Sequence, residues 1–247
     1  AFAMLFHLSA EVVADTAAAP AKKIVACVGD SITYSHGASK RDATTYPAVL
    51  QKLLGDEWEV HNFGHNARTA LDEGKEWNGQ GGMGYRKSPN FAKSKECKPN
   101  YVIFMLGSND SKKVNWEGNE ETFKKNYAAL VDEYLALDSK PVVVIGVSPY
   151  VQKDRWQITE AVVGGQIAPW QREFAKERGL PVVDIYELTK ANEAGSYCDG
   201  IHPNENGMKI IKDYIVSQLL SNDTDVRTTN NSHAVKLPNN LTSTTNL

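Results

Sequence analysis

"IVACVGDSITYSHG", residues 24–37, opens with an apolar run that stops at Gly29-Asp30-Ser31. A short continuous apolar run rich in β-branched residues reads as a strand covered on both faces. Asp and Ser directly after such a run satisfy the orphan amide groups at the start of a helix. A strand running through a tight turn into a helix is the first half of a βαβ unit, and βαβ units build parallel sheets. Ser31 can then be the cap of that helix or a nucleophile held at its N-terminus, and the rest of the chain has to decide.

Four more β-rich runs follow, at Trp58–Phe63, Tyr101–Leu106, Val142–Val147 and Val182–Ile185. Helical spacing fills the intervals: Tyr46, Val49, Leu50, Leu53 and Leu54, closed by Gly55; Phe123, Tyr127, Leu130, Val131 and Tyr134; Ile167, Trp170 and Phe174, closed by Gly179; and Met208, Ile211, Ile215 and Leu219. Strands alternating with helices of this length predict an α/β fold, a three-layer α/β/α sandwich around a five-stranded parallel sheet. Right-handed crossovers bring the C-terminal ends of the strands to one edge, where such folds bind ligands.

The 247 residues carry 27 Lys and Arg against 30 Asp and Glu, a net charge of -3, with no basic block that could track phosphates. That balance argues against a nucleic-acid partner. No apolar stretch approaches the roughly 20 residues of a membrane span. Cys27, Cys97 and Cys198 are odd in number, and neither CxxC nor HExxH occurs, so no disulfide scaffold, metal or other cofactor is expected. Residues 1–21 read as an N-terminal extension or signal-peptide remnant, although no basic start precedes them and Glu11 and Asp15 interrupt the apolar patch. Residues 22–220 form the expected domain, and 221–247, dominated by Asn, Thr and Ser, a disordered tail. Residues 72–99 read as a long loop beside the site. Its "GQGGMG" (79–84) lacks the preceding strand of a dinucleotide fingerprint.

Chemistry collects behind the strands: Gly29-Asp30-Ser31 after the first, Gly64-His65-Asn66 after the second, Gly107-Ser108-Asn109-Asp110 after the third and Asp199-Gly200-Ile201-His202-Pro203 after the fifth. A serine becomes a nucleophile when a histidine takes its proton and a carboxylate orients that histidine, and Asp199 and His202 supply both parts. The backbone N–H groups of Ser31 and Gly64 and the side-chain amide of Asn109 are the candidate donors to a developing oxyanion. Each has an ordinary structural alternative as a cap or turn residue. His36 and His65 could line the pocket or simply pack. A Cys198 thiol nucleophile finds no helix N-terminus to activate it.

These blocks, in this order over roughly residues 22–220, resemble those of the SGNH hydrolases, also called GDSL esterases. The resemblance implies a flavodoxin-like sandwich with strand order 2-1-3-4-5, a Ser31–His202–Asp199 triad, and an oxyanion hole from Ser31, Gly64 and Asn109. No G-x-S-x-G occurs, which separates the chain from the α/β-hydrolases. "VACVGDSITYSHGASKRDATTYPAVLQKLLG" and "NYVIFMLGSNDSKKVNW" are similar to bacterial carbohydrate or sialate O-acetylesterases. The implied activity is hydrolysis of short acyl esters, acetyl foremost, on carbohydrates. A general short-chain esterase, thioesterase or lysophospholipase-like enzyme is the alternative, and a non-catalytic binding module the reading from another class. Asp30, Arg68, Trp77, Tyr85, Trp116 and Trp156 are the further candidate substrate contacts, with Tyr150 and Arg155 also near the expected rim. Asn109-Asp110-Ser111 is a glycosylation sequon, as are the sites at Asn222, Asn230 and Asn240. A sugar on Asn109 would block its amide, so the expected setting is a bacterium, in its secreted or periplasmic space, with the cytoplasm as the alternative.

Overall fold

Five parallel strands, β1 (Lys23–Gly29), β2 (Trp58–Gly64), β3 (Tyr101–Met105), β4 (Val142–Gly146) and β5 (Val182–Val183), lie side by side in the order β2-β1-β3-β4-β5. They belong to a computed structural model that describes residues 21–36 and 41–222. The chain order of the helices is α1 (Ser31–Tyr34), α2 (Arg41–Thr44), α3 (Tyr46–Leu54), α4 (Pro89–Glu96), α5 (Lys113–Trp116), α6 (Glu120–Leu135), α7 (Glu160–Val162), α8 (Ala168–Glu177), α9 (Ile185–Ala191) and α10 (Glu205–Asn222). The expected α/β sandwich and strand order are those observed.

Strand residues alternate between faces, so β1 feeds two cores. Ala26 and Val28 join Val102, Phe104, Phe123, Tyr127 and Phe174 on the side of α6 and α8. Val25 and Cys27 join Leu50, Ile103, Met105, Met208, Ile211 and Ile215 on the side of α3 and α10. Each large apolar side chain fully buried this way contributes roughly 1.5–3 kcal/mol before the entropy of ordering it is charged. Between α7 and α8, Val163–Ile167 form a π-helical turn that buries Val163 and Ile167.

The sequence reading needs correction at two places. The stretch 72–99 is not loop throughout: the Ser88 hydroxyl accepts from Asn90 N–H, Pro89 occupies the first turn, and Phe91 and Ser94 are buried, which makes α4. β5 stops at Val183 because the Asp184 side chain accepts from Glu187 N–H and starts α9. Helix α10 runs from Glu205 to Asn222. The proposed leader (1–20) and the tail beyond 222 lie outside the described residues.

Candidate active site

Gly29 ends β1 opposite Gly64 of β2 and Met105 of β3. A Cβ on Gly29 would meet Thr33 Oγ1 at 2.2 Å and Met105 O at 2.6 Å, so only glycine lets the chain turn here. Asp30 then caps α1: its Oδ1 accepts from Ile32 N–H at 2.9 Å. Ser31 is the first residue of that helix, 8% exposed.

Its partner comes from the other end of the chain. Ser31 Oγ is 2.8 Å from His202 Nε2, and His202 Nδ1 is 2.7 Å from Asp199 Oδ2. The loop that delivers these groups is built tightly: Asp199 Oδ1 accepts from Ile201 and His202 N–H at 2.9 and 2.8 Å, and Gly200 adopts a φ of 91° against Lys153. Burial raises the Asp199 carboxyl, but those N–H donors and the His202 ring outweigh it and hold it below the usual carboxylate value. Burial lowers His202 below the ordinary histidine value; Asp199 opposes this, and the charges of His36 and Arg155 add to it. His202 is therefore neutral at pH 7, with Nδ1–H facing the carboxylate and Nε2 free to accept from the serine hydroxyl. A hydroxyl, an imidazole and a carboxylate linked in this order can move a proton off the serine. Cys198 donates to His202 O at 3.2 Å, and burial pushes its thiol above the usual value, which leaves it unactivated.

Asn109 lies in a 3-10 turn after β3, and its Nδ2 donates to Asp30 Oδ2 at 3.2 Å. Asp110 accepts from Ala70 and Leu71 N–H at 3.0 and 2.9 Å, tying this turn to the segment behind β2. Burial raises Asp30 to about 6 and Asp110 to about 7.

Gly64, one of the expected oxyanion donors, closes β2 beside α1. Its N–H donates to Asn62 Oδ1 at 2.9 Å, and a Cβ there would meet Tyr34 N at 2.1 Å. Glycine is required for the close approach of β2 to α1, and its amide is already used. Three residues on, Ala67 lines the pocket beside Ser31 and Asn109 with a φ of 62°, and its N–H has no acceptor among the described residues. Nothing in the sequence marks it, since an alanine in the left-handed region is uncommon.

An open pocket of about 220 Å³ gathers Ser31, His202, Asn109 and Ala67 with His36, Asn66, Glu76, Trp77, Lys112, Trp156 and Ile158. Of the expected substrate contacts, Trp77 is 52% exposed and Trp156 lies with its ring 5.7 Å from that of His202. Arg155 stacks on Trp156 at 4.4 Å. The other four do not line the pocket. Tyr85 is fully buried and donates to Phe63 O, and Trp116 is core, packed on Phe123 and donating to Gln166. Arg68 is held by Gly82 O and His65, and Asp30 is buried beneath Asn109. His65 is likewise structural, bonded to Ser88 and Arg68, and Tyr150 packs edge-on against Tyr186. Glu76 and Lys112 went unread because charged residues in loops look like a solvated surface, and Asn66 was noted behind β2 without a role.

The model of the GDSL-like lipase/acylhydrolase family matches residues 27–210. The chain belongs to that family, a class of carboxylic ester hydrolases. An acetylxylan esterase of Xylanibacter ruminicola is 32% identical over 212 residues, 79% of this chain and 42% of that protein, so the chain spans less than half of that relative's length. Among solved structures, a carbohydrate acetylesterase family member from Sinorhizobium meliloti aligns with a TM-score of 0.63 at 22% identity, covering 81% of this chain and 98% of that one. A lipase/acylhydrolase from Enterococcus faecalis gives 0.62 at 20% identity, covering 81% and 96%. Both share the fold.

Proposed function

We propose that this chain is a serine esterase that removes short acyl groups, acetyl foremost, from the hydroxyls of carbohydrates. The observation that carries the reading is the hydrogen-bonded series Ser31–His202–Asp199, 2.8 and 2.7 Å, opening on a pocket. In this mechanism His202 Nε2 takes the Ser31 proton as Oγ attacks the ester carbonyl. The oxyanion is met by the N–H groups of Ser31 and Ala67 and by Asn109 Nδ2. His202 then protonates the departing sugar hydroxyl, and a water activated by the same histidine releases the acyl group from Ser31. Asp199 holds the ring in the required tautomer. A volume of about 220 Å³ suits a small acyl group, and the flat faces of Trp77 and Trp156 suit a sugar ring. The acetylxylan esterase similarity supports the acetyl and carbohydrate parts of the reading.

Steady-state hydrolysis of 4-nitrophenyl acetate and of acetylated xylo-oligosaccharides tests it. Ser31→Ala should lose at least about a thousandfold in kcat on both. Full activity in that variant overturns the nucleophile. Cleavage of 4-nitrophenyl acetate with none of the saccharide would instead favour a general short-chain esterase.

A further inference from the structure

Two pocket residues carry charges for which the proposed acyl transfer has no use, Glu76 and Lys112. Lys112 Nζ donates to Glu76 Oε2 at 2.5 Å, and the Lys112 side chain is only 3% exposed. Trp77 N–H donates to the same oxygen at 3.1 Å. An ammonium has three N–H donors, and Glu76 takes one. Among the described residues Lys112 has no other acceptor and Glu76 Oε1 has no donor. Burying the Lys112 ammonium is costly, and it is held well only when its remaining hydrogen-bonding capacity is met. The pair, without net charge, therefore keeps Lys112 Nζ with donors that no described protein atom accepts, beside a half-buried Glu76 carboxylate whose Oε1 is open to solvent or a ligand.

Their position is fixed. Lys112 directly follows the turn that presents Asn109. Asn115 clamps the Glu76 loop to that turn, accepting from Lys75 N–H at 2.8 Å and donating to Lys75 O at 2.8 Å and Asn109 O at 2.9 Å. Gln157, next to Trp156, donates to Trp77 O at 2.9 Å and ties the same loop from the other side.

We propose that Lys112 and Glu76 determine substrate choice by reading two neighbouring free hydroxyls on the acylated molecule. One hydroxyl accepts from Lys112 Nζ, and the next donates to Glu76 Oε1. A vicinal diol meets both needs at once, whereas a carboxylate or phosphate would oppose Glu76. The inference rests on the esterase reading above and narrows its substrate to esters of polyols that keep free hydroxyls near the ester.

The test is the selectivity ratio, kcat/KM for a monoacetylated methyl xyloside divided by kcat/KM for propyl acetate. The wild type should favour the xyloside by more than about tenfold. Lys112→Met and Glu76→Gln should each lower the ratio about 10- to 100-fold, the scale of one lost charge-assisted hydrogen bond, chiefly through KM. Removing one partner strands a charge, so the double variant Glu76→Leu/Lys112→Met is measured beside them, with thermal melting as the check on folding. A purely structural pair would lower both rate constants together. A ratio unmoved in the folded double variant, with the xyloside still cleaved, overturns this inference alone. A wild type that cleaves propyl acetate but not the xyloside overturns it together with the carbohydrate reading.

Discussion

Asn109 and Asp30 are joined at the C-terminal edge of the sheet: Nδ2 of the amide donates to Oδ2 of the carboxyl at 3.2 Å, and both residues are buried. The other carboxyl oxygen caps the helix that begins with Ser31. One buried side chain thus locks the proposed nucleophile and the proposed side-chain oxyanion donor to each other. With one amide N–H of Asn109 committed to Asp30, the second is left for the pocket.

Asn109→Ala removes that donor and leaves the cap of α1 in place. The expected loss is about 100- to 1000-fold in kcat on 4-nitrophenyl acetate, with KM little changed, because the contact strengthens as negative charge develops on the carbonyl oxygen. A wild-type kcat would remove Asn109 from the mechanism.

Asp30 has a second signature. Burial raises its carboxyl from the ordinary 3.8 to about 6, so between those values the folded chain holds a proton that the unfolded chain has released. The stability it contributes is fully present below about pH 4, is lost as pH rises toward 6, and stays lost above. Asp30→Asn does not titrate. The melting temperature of the wild type minus that of Asp30→Asn should therefore fall between pH 4.5 and 6.5 and level off beyond; a difference that grows with pH would mean the ionised carboxylate is the favoured form.

The histidine gives the activity its acid limb. His202 must be neutral to accept the serine proton, and its environment holds it below the ordinary 6.5. kcat/KM should rise with a midpoint below pH 6.5 and be flat across pH 7. Asp199→Asn removes the group that holds the histidine up, so the limb should move to lower pH while kcat falls on the order of ten-thousandfold. A midpoint above 6.5 in the wild type would contradict the desolvated site.

The sheet was legible because its strands are buried on both faces: the runs through Ala26–Val28, Ile103–Met105 and Val143–Ile145 have no polar interruption. The serine, histidine, aspartate and asparagine stood out because their chemistry is carried by side chains at strand ends. Gly64 was read as an oxyanion donor and Ala67 was not read at all, for the converse reason. An oxyanion donor of the backbone kind leaves no mark on residue type, and a glycine needed for the approach of β2 to α1 looks the same as one needed for a substrate. Aromatic type alone could not separate Tyr85 and Trp116, which are core, from Trp77 and Trp156, which line the pocket. Tertiary packing decides that difference.

Exchanging the side chains at these two positions separates packing from catalysis. Gly64→Ala brings a Cβ against Tyr34 N at 2.1 Å, a backbone atom that cannot move aside cheaply. Overpacking of this kind costs about 1–3 kcal/mol, or roughly 2–10 °C in melting temperature for a domain of this size. Ala67→Gly keeps the N–H and places a glycine at a φ of 62°, which it adopts without strain. Its kcat on 4-nitrophenyl acetate should stay within about threefold of wild type, since deleting the methyl leaves the proposed backbone donor in place. Replacing the Ala67 residue by L-lactic acid turns that N–H into an ester oxygen while the methyl and the φ of 62° are kept, and should lose kcat by about 100-fold or more, with circular dichroism and melting used to confirm that the chain still folds. Should Gly64→Ala leave the melting temperature unchanged yet abolish activity, while the folded chain with the ester linkage at position 67 remains active, the backbone donor belongs at 64.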